Sequence, residues 1–363
     1  MGIGRTIRNE GFVGRLELFN RGESMEIYND RIKRIRELMR ERNVECLFAA
    51  PPSNIFYLTG VKTTLDERLQ LAVLLQEGPL FLIMPEMYKE VASTLGDGFC
   101  LLTWSDHQNP MELVLRACGS IRGCAAVDPK LWAGHLLILM ETLKGCTFVN
   151  GGEILGRARS IKDEEELRLL KRAGELVDEV MVEVVREINV GMTERELADF
   201  IERKIKEKGA EDVSFKPIVA SGPNSSMPHH IPGNRKIEKG DFVVLDFGAV
   251  LEGYFSDITR TFFMGKAGNE ERKIYRVVME ANEAGYRAAA CGAFCGDVDR
   301  AAREVIERAG YGQFFIHRTG HGIGLECHEE PYIVEGSYIP LEKGMVFSVE
   351  PGIYIPQKIW RSN

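Results

Sequence analysis

Two aspartates lie within one short apolar stretch, LDFGAVLEGYFSDITRTF at 245–262. The residues before Asp246 and after Asp257 have the apolar and β-branched types that favour strands, and a glycine between them indicates a turn. Centring that turn between Leu251 and Glu252 places the two aspartates directly opposite each other on a hairpin. Opposed Cβ atoms are about 4.5–5.5 Å apart. Two buried carboxylates at this distance either share a proton or hold a cation.

An internal repeat predicts a third acid at the same place. The segment IEKGDFVVLDFGA (237–249) aligns with LEKGMVFSVEPGI (341–353) at a constant offset of 104 residues, so Asp246 falls on Glu350. A pseudo-twofold fold would bring the two segments together around one site. One strand of each half-repeat is then expected to carry a carboxylate.

Histidines are concentrated in the same half of the chain. Five of the seven histidines lie between residues 229 and 328. His321 lies between glycines in RTGHGIGLECHEEPYI, where the backbone can approach a ligand closely. A lone histidine is usually a hydrogen-bonded structural residue, but several beside three acids favour a metal site. The five are His229, His230, His317, His321 and His328.

The donor types predict which ions the site takes. Carboxylates with one imidazole and no thiolate form a hard site, which favours Mn, Co, Fe or Zn in a catalytic role over a structural zinc. Two ions that share carboxylates lie about 3.5–4 Å apart and hold a bridging water. The pKa of that water falls, so hydroxide is available near neutral pH. The predicted chemistry is hydrolysis of a polarised carbonyl.

The composition is that of a globular protein with two domains. The chain has 363 residues, 44% of them hydrophobic and 28% charged, which is too long for one small core. The formal net charge of −8 argues against a nucleic-acid surface. We expect no membrane span and no signal peptide. Eight scattered cysteines without C-x-x-C spacing indicate free thiols and a cytoplasmic location.

The first half of the chain is expected to form an α/β domain. Residues 1–24 match no clear element and are expected to be an extension with little structure. A helix with Asn29 or Asp30 as its cap follows, and strands alternate with helices up to residue 155.

The second half is expected to contain long helices between strands and hairpins. Ser160 with Asp163 predicts a capping box before one long helix, and Thr193 with Glu196 predicts a second box. Two more helical stretches are expected near 270–290 and 297–309, on either side of a glycine-containing break.

Several sequence blocks resemble those of the proline-specific metallopeptidases, the Xaa-Pro aminopeptidases and Xaa-Pro dipeptidases (prolidases). The blocks are DFGAVLEGYFSDITRTF, TGHGIGLECHEEPYI and SVEPGIY, with SGPNSSMPHHIPGNRKI and SNIFYLTG as further matches. The resemblance covers about residues 25 to 357. It implies an α+β chain with a creatinase-like α/β domain at 25–155. A pseudo-twofold pita-bread catalytic domain, like that of methionine aminopeptidase, is expected at 156–363.

The resemblance also implies roles for individual residues. Asp246 and Asp257 would be metal ligands, with Asp257 bridging two ions, and His321 would be the histidine ligand. Glu350 would be a ligand and the proton acceptor from the attacking water. His229 and His328 would bind the substrate or its tetrahedral intermediate. His328 would also donate a hydrogen bond to the developing oxyanion.

Other residues near the blocks receive weaker expectations. His230 and His317 are interpreted as bystanders, and Arg260 either orients a ligand or is a surface residue. The ions expected from the resemblance are two Mn or Co, with Zn or Fe as alternatives, and the substrates are short peptides with proline at the second position. Prolidase-like enzymes use a partner subunit to cap the site, so a homodimer is expected.

The end of the sequence departs from the family pattern. The repeat maps Asp257 onto position 361, where the family places a return strand and a bridging glutamate, but the chain has Arg361. The last strand is therefore expected to be missing, and this chain to bind one metal ion tightly or none, with little activity. Two alternatives remain open: a catalytically dead pita-bread binding protein, and a creatinase-like amidinohydrolase that works without metal.

Overall fold

The computed structural model describes residues 21–92, 95–96, 98–119 and 121–356. The chain divides into two compact units, Met1–Ala126 with Lys130–Val149 and Val127–Pro129 with Asn150–Asn363. Residues 1–20 of the expected N-terminal extension lie outside the described residues. Among the helices of the described ranges, none combines the length and the apolar character that crossing a membrane requires.

The first unit is built on a six-stranded sheet with the strand order β4-β3-β2-β1-β5-β6. The strands β1 to β3 pair antiparallel in sequence, and β3 pairs parallel with β4. The strands are β1 (Val44–Ala49), β2 (Leu71–Leu75), β3 (Leu80–Pro85), β4 (Phe99–Trp104), β5 (Cys124–Val127) and β6 (Thr147–Asn150). The helices are α1 (Arg21–Glu41), α2 (Ser53–Thr59), α3 (Lys89–Ala92), α4 (Pro110–Cys118) and α5 (Ala133–Thr142).

The helix α1 begins earlier than predicted. The expected caps, Asn29 and Asp30, lie inside it because the residues before them are also helical. A residue type that favours caps does not stop a helix that has already started. Its apolar spacing was predicted correctly, since Ile32, Ile35 and Met39 are buried.

The second unit combines five helices with short strands. Its sheets have the orders β12-β9-β8, β11-β10-β7 and β13-β14. The helices are α6 (Gly152–Ser160), α7 (Glu164–Glu187), α8 (Glu194–Glu207), α9 (Asn269–Ala288) and α10 (Cys295–Arg308). The strands are β7 (Asp212–Val213), β8 (Ile218–Ser221), β9 (Phe242–Phe247), β10 (Ala249–Leu251), β11 (Tyr254–Phe255), β12 (Ile258–Phe263), β13 (Gly320–Gly322) and β14 (Glu329–Ile333).

One of the two predicted capping boxes is correct. Thr193 caps α8 and exchanges hydrogen bonds with Glu196, as predicted. The box before α7 uses Asp163 with Glu166 instead of Ser160. Ser160 ends α6, and its hydroxyl donates to Arg157 O, so it is not available to cap the next helix.

The core of the second unit lies between its helices and β9. Both α7 and α8 have apolar residues at the spacing of one helical face, and this face is buried against the strand. The residues of β9 on the side that faces the helices are apolar, so the side chain of Asp246 lies on the opposite side of the strand. Buried residues of this layer include Val177, Val180, Val184, Leu197, Ile201, Val243, Leu245 and Phe247.

Both repeated segments begin with the same left-handed backbone turn at a glycine. Gly240 and Gly344 have φ values of 96° and 94°. Beyond this turn the two repeats differ, because residues 242–247 form β9 whereas the equivalent residues 346–351 are extended without forming a named strand. The expectation of a strand in each repeat is therefore correct only for the first. The pair α9 and α10 packs beside the second repeat.

Candidate metal centre

The hairpin that carries the two aspartates turns through two residues, Glu252 and Gly253. Both have left-handed backbone, with φ values of 51° and 87°, and Leu251 pairs with Tyr254. A two-residue turn of this type matches the twist of the flanking strands. The turn lies one residue later than the sequence predicted, so each cross-strand partner is shifted by two residues.

Asp246 consequently lies opposite Thr259 and not opposite Asp257, which corrects the predicted register. A shift of two residues preserves the face on which each side chain lies. Asp257 therefore remains a diagonal neighbour of Asp246, in the short gap between β11 and β12. The two carboxylates are still close enough to share a hydrogen bond.

Three of the predicted ligands converge on one point. Ligand atoms of Asp257, His321 and Glu350 all lie within 4.8 Å of one another. His321 Nε2 is 3.6 Å from Asp257 Oδ2 and 3.1 Å from Glu350 Oε1. Metal–ligand bonds are about 2.0–2.2 Å long, so donors that share an ion lie roughly 3 Å apart. The three side chains are thus close to the spacing of a shared ion.

Glu350 reaches this point because its segment runs directly beside β13. Glu350 N–H donates to Thr319 O at 2.7 Å, and Ser348 N–H donates to His321 O at 2.8 Å. A Cβ on Gly320 would lie 1.9 Å from Ser348 O, so only glycine allows this approach. The glycine beside His321 thus allows a close approach of backbone to backbone, whereas the sequence predicted a close approach to a ligand.

The orientation of His321 leaves one ring nitrogen for the acids. His321 Nδ1 lies 3.0 Å from Gly322 O, which can only accept, so Nδ1 carries a proton. Nε2 faces Asp257 and Glu350 and is the nitrogen available to a metal ion. Burial lowers the pKa of His321, but the hydrogen bond and charge of Glu350 outweigh burial and raise it.

The three carboxylates perturb one another strongly. Burial and then the charge of Glu350 raise the pKa of Asp246 to about 6. Burial, followed by the charges of Asp246 and Glu350, raises the pKa of Asp257 to about 8. Burial also acts to raise the pKa of Glu350, but its hydrogen bond to His321 holds it below the usual value. Two of three acids therefore resist ionisation until a positive charge joins them.

The residues present fit a divalent cation. Within the described part of the chain, Asp246 Oδ1 is a buried oxygen without a hydrogen-bond partner. A buried oxygen left in this way is costly unless an ion or water binds it. Together with Asp257, His321 and Glu350 it forms an oxygen-rich set with one imidazole, suited to a catalytic divalent ion.

Two further predicted histidines lie beside these ligands. The ring of His328 packs edge-on against that of His321, with centroids 4.1 Å apart. Burial, and then the charges of His321 and Arg318, lower the pKa of His328, which favours its neutral form near pH 7. The charge of His229 contributes to the same lowering, so His229 also lies near this point.

His230, interpreted from the sequence as a bystander, instead fixes the loop that carries His229. His230 Nε2 lies 2.7 Å from Glu194 Oε2, and the Glu194 side chain is fully buried. Glu194, in the first turn of α8, accepts hydrogen bonds from several groups of this loop and the end of β8. The donors are Ser221 N, Ser221 Oγ, Asn224 Nδ2, His230 Nε2 and Gly233 N.

His317, also interpreted from the sequence as a bystander, has a positioning contact. Its Nε2 is 3.1 Å from the hydroxyl of Tyr354, and its Nδ1 is 2.6 Å from Arg318 O. Burial, and then the charges of Glu350 and Asp246, raise the pKa of Tyr354 well above its usual value. His317 therefore connects the turn before β13 to the segment that follows Glu350.

Three residues near the site were not predicted. Cys327 Sγ lies 3.9 Å from Asp257 Oδ2, beside the candidate ligands. Ser348 Oγ donates to Glu350 Oε1 at 2.8 Å, and the Thr259 side chain forms a hydrogen bond with Asp246. Thr259 was missed because the predicted register was wrong, and Cys327 because the resemblance assigned no role to this position of the block.

Arg260 is a surface residue, which was one of the two roles that the sequence left open for it. Its side chain is 55% exposed, and its nearest acid is Asp178 at 4.0 Å. The departure from the family pattern at Arg361 lies outside the described residues. The position of the family's return strand lies outside them too.

A buried ion network supports the segment before β14. Lys162 Nζ lies 2.9 Å from Glu329 Oε1, and Arg159 binds both Glu329 and Glu326. All four side chains are at most 15% exposed. Because Glu326 and Glu329 flank Cys327 and His328 in the sequence, the network fixes the loop that brings His328 to the site.

A two-unit chain with a carboxylate–imidazole cation site is a metal-dependent hydrolase. The metallopeptidase family M24 matches residues 168–362, and the creatinase/prolidase N-terminal domain matches residues 31–161. This chain belongs to metallopeptidase family M24. The resemblance and the fold class predicted from the sequence, a creatinase-like domain followed by a pita-bread domain, are confirmed.

Relatives and solved structures cover nearly the whole chain. The sequence is 38% identical over 335 residues to a putative dipeptidase, YkvY, of Bacillus subtilis, covering 90% of this chain and 92% of that protein. It is 32% identical to a Xaa-Pro dipeptidase of Pyrococcus horikoshii, covering 92% of each. A recombinant prolidase from Thermococcus sibiricus has a similar structure, with a TM-score of 0.85, 40% identity and 90% of each chain covered.

Proposed function

We propose that this chain hydrolyses the Xaa-Pro bond of short peptides with water activated at a divalent-metal centre. The observation that carries the proposal is the convergence of Asp257, His321 and Glu350. The buried Asp246 Oδ1 beside them, without a partner among the described residues, supports a bound cation. The similarity to a Xaa-Pro dipeptidase of Pyrococcus horikoshii supports the choice of substrate.

In this proposal Asp246, Asp257, His321 and Glu350 would hold the divalent metal. When bound, the ions supply a hydroxide nucleophile and polarise the peptide carbonyl. The protein holds its part of the geometry through Ser348, which fixes a Glu350 oxygen, and through the Nδ1 hydrogen bond of His321.

Glu350 is the proposed proton acceptor from the attacking water. Its pKa is held below the usual value by His321, so it is ionised at neutral pH and can take a proton. Asp246 and Asp257, whose pKa values are raised by burial and neighbouring charges, are assigned to the cation instead. Their part is to bind the positive charge.

His328 and His229 are the proposed substrate-binding histidines. The lowered pKa of His328 favours a neutral imidazole whose N–H can donate to the carbonyl oxygen as negative charge develops there. His229 is exposed at the same point and is free to contact the peptide backbone. Loss of the His328 donor is expected to lower kcat while leaving the metal bound.

The test uses the purified full chain loaded with Mn or Co and freed of excess metal. We expect bound metal by elemental analysis and release of proline from a Xaa-Pro dipeptide, with a Xaa-Ala dipeptide as the matched control substrate. A folded chain without metal or turnover would support the binding-protein alternative. Hydrolysis of an amidino substrate without metal would support the creatinase-like alternative.

We further propose Mn or Co as the ions, a homodimer, and a cytoplasmic location. The eight free cysteines support a reducing compartment. The dimer rests on the resemblance to prolidases, and light scattering of the purified chain tests it directly. Titration with each metal, followed by elemental analysis, tests the choice of ion and the number bound.

A further inference from the structure

Four of the eight cysteines lie together in the first unit. They are far apart in the sequence, and the fold brings them together from four different places. Cys46 lies on β1, Cys118 ends α4, Cys124 begins β5 and Cys146 directly precedes β6. Cys118 interacts electrostatically with both Cys46 and Cys146, and Cys124 interacts with Cys146. We call these four residues the thiol cluster.

Hydrogen bonds at the ends of the strands hold the thiol cluster in place. The strands β1 and β5 are neighbours in the sheet, and Gly123 N–H, directly before β5, donates to Glu45 Oε2 at 3.2 Å. Cys146 Sγ donates to Ile121 O at 3.5 Å, in the loop that follows Cys118. The cluster is therefore part of the folded unit, at the point where α4, β1, β5 and the segment before β6 meet.

Within the thiol cluster, Cys46 and Cys118 form a buried pair. Their side chains are close enough to share a hydrogen bond, and the two residues are 0% and 3% exposed. Cys295 of the second unit is equally buried, but it packs among apolar residues that include Val298 and Ile333, as a cysteine does when it serves as a small apolar side chain. A thiol that packs against a second thiol can also form a covalent bond with it.

Cys146 gives the pair a route to the solvent. It is half-buried, whereas Cys46 has no exposed surface. Burial, and then the charge of Cys118, raise the pKa of Cys146, so Cys118 lies near Cys146 as well as near Cys46. A reagent in solution therefore meets Cys146 before it meets Cys46, and Cys118 is placed to exchange with both.

We propose that Cys46 and Cys118 form a reversible disulfide in the presence of a low-molecular-weight disulfide, with Cys146 as the thiol that reacts first. Cys146 attacks the reagent, which releases one reagent thiol and leaves a mixed disulfide. Cys118 then attacks the sulfur of Cys146 and releases the second reagent thiol. Finally Cys46 attacks Cys118, and Cys146 becomes a free thiol again. In sum, two cysteine thiols are oxidised, the reagent is reduced to two thiols, and each attacking sulfur gives up the proton that the leaving sulfur takes.

The burial of Cys46 determines how fast the bridge forms. Burial, and then the hydrogen bond to Cys118, raise the pKa of Cys46 well above its ordinary value. Because the thiolate is the attacking species, the last exchange is expected to be slow, on the order of minutes to hours. The bridge connects β1 to α4 and restricts the unfolded chain, so it should stabilise the first unit.

The experiment follows the bridge in the purified full chain, reduced and then freed of reductant. The probe is oxidised glutathione in excess, followed by alkylation of the remaining thiols in denaturant and mass-spectrometric mapping of the peptides. We expect a peptide that links Cys46 to Cys118 and disappears after treatment with dithiothreitol. The Tm of the oxidised chain should lie above that of the reduced chain. Neither readout requires peptidase activity.

Three kinds of variant test the assigned roles. Cys46→Ala and Cys118→Ala should each lose the bridge and the rise in Tm. Cys146→Ser should slow formation of the bridge without changing the amount formed at equilibrium. Cys124→Ser, at the other half-buried thiol of the cluster, is the matched control and should change neither the rate nor the amount.

The mapping of the wild-type chain decides the inference even if a variant does not fold. A final bridge between Cys118 and Cys146, or a Cys46 that stays reduced at equilibrium, would overturn the assigned pair. An unchanged rate in Cys146→Ser would overturn its role as the first thiol. Protection of the cluster from alkylation by a bound metal ion, detected by elemental analysis, would show that the thiols bind a metal and do not form a disulfide.

Discussion

Two buried acidic regions of the second unit have opposite electrostatics. Glu194 is fully buried, and its two oxygens accept hydrogen bonds from five donor atoms. Asp246 and Asp257 are also buried, but they face each other and Glu350. Burial raises the pKa of all three acids, yet the pKa of Glu194 is lowered overall, whereas those of Asp246 and Asp257 are raised.

The difference shows that burial alone does not mark a functional acid. Glu194 has its negative charge satisfied by neutral and imidazole donors, so it needs no ligand and serves to fix the loop of His229. Asp246 has an oxygen without a partner in the described part of the chain, so an ion or a water from outside the protein is needed to satisfy it. The number of donors per buried carboxylate distinguishes the structural acid from the candidate ligands.

The largest expected effect is on metal binding. Asp257→Asn removes the negative charge of a candidate ligand. Loss of a residue that only supports a ligand lowers metal affinity about 10- to 100-fold, so loss of the ligand charge itself should lower it further. Xaa-Pro turnover should fall with it. Elemental analysis after dialysis gives the metal content, and circular dichroism checks that the fold is retained.

Glu194→Gln is the matched comparison for that experiment. Bound metal is expected to be unchanged, since Glu194 contacts no candidate ligand. If Glu194→Gln loses metal as completely as Asp257→Asn, the distinction between the two acidic regions is wrong.

The next largest effect is expected on stability, and here the substitution at Glu194 has the larger effect of the two regions. Glu194→Gln places an amide N–H₂ against buried donors, and leaving such groups unsatisfied costs about 1–3 kcal/mol each. We expect a clear fall in the free energy of unfolding, measured in urea. Glu207→Gln, at an exposed position on the same helix, is the control and should change stability by less than about 0.5 kcal/mol.

A smaller effect is expected in the pH dependence of the metal-free protein. The folded pKa values of Asp246 and Asp257, about 6 and about 8, lie above the ordinary value of 3.8. The folded state therefore binds protons more tightly than the unfolded state. The stability that this provides is fully present below pH 3.8 and is lost as the pH rises through 6 to 8.

The double variant Asp246→Asn with Asp257→Asn isolates this contribution. In the presence of a chelator, the Tm of the wild-type chain should fall between pH 5 and pH 9 by more than that of the double variant. Parallel Tm curves for the two proteins would mean that the carboxylates do not interact as the structure indicates. The pH dependence that Glu194 contributes has the opposite sign, because its folded pKa is lowered. Its contribution to stability is present above the ordinary pKa of 4.5 and is lost only as the pH falls into the acid range.

The sequence predicted the residues that meet at the candidate site better than it predicted how they meet. The acids and His321 were identified from types and spacing, and they are close together in the structure. The exact pairing was not, because the same glycine is compatible with a turn centred one residue earlier, and that small change moves every cross-strand partner by two residues. The partners of Glu194 lie 27 to 39 residues away in sequence, and no local pattern connects them.

The histidines show the same limit. The family blocks assigned roles to His229 and His328, but no periodic signal indicated the contacts of His230 and His317. Their hydrogen bonds to Glu194 and Tyr354 exist only after α8 and the segment beyond Glu350 have packed. Apolar periodicity, in contrast, depends on each element alone, so the helical spacing of Ile32, Ile35 and Met39 in α1 directly indicates its buried face.

The smallest effect is expected at Arg260, one residue after Thr259. Side chains alternate along β12, so Arg260 lies on the face opposite to Thr259 and Asp246. Its guanidinium is 55% exposed, 4.0 Å from an Asp178 that is 69% exposed, and such pairs contribute roughly 0–1 kcal/mol. Arg260→Ala should therefore change the free energy of unfolding by less than about 0.5 kcal/mol and leave the bound metal unaltered. Loss of metal in this variant would mean that Arg260 acts on the acids through the sheet, and the separation of the two faces would then be wrong.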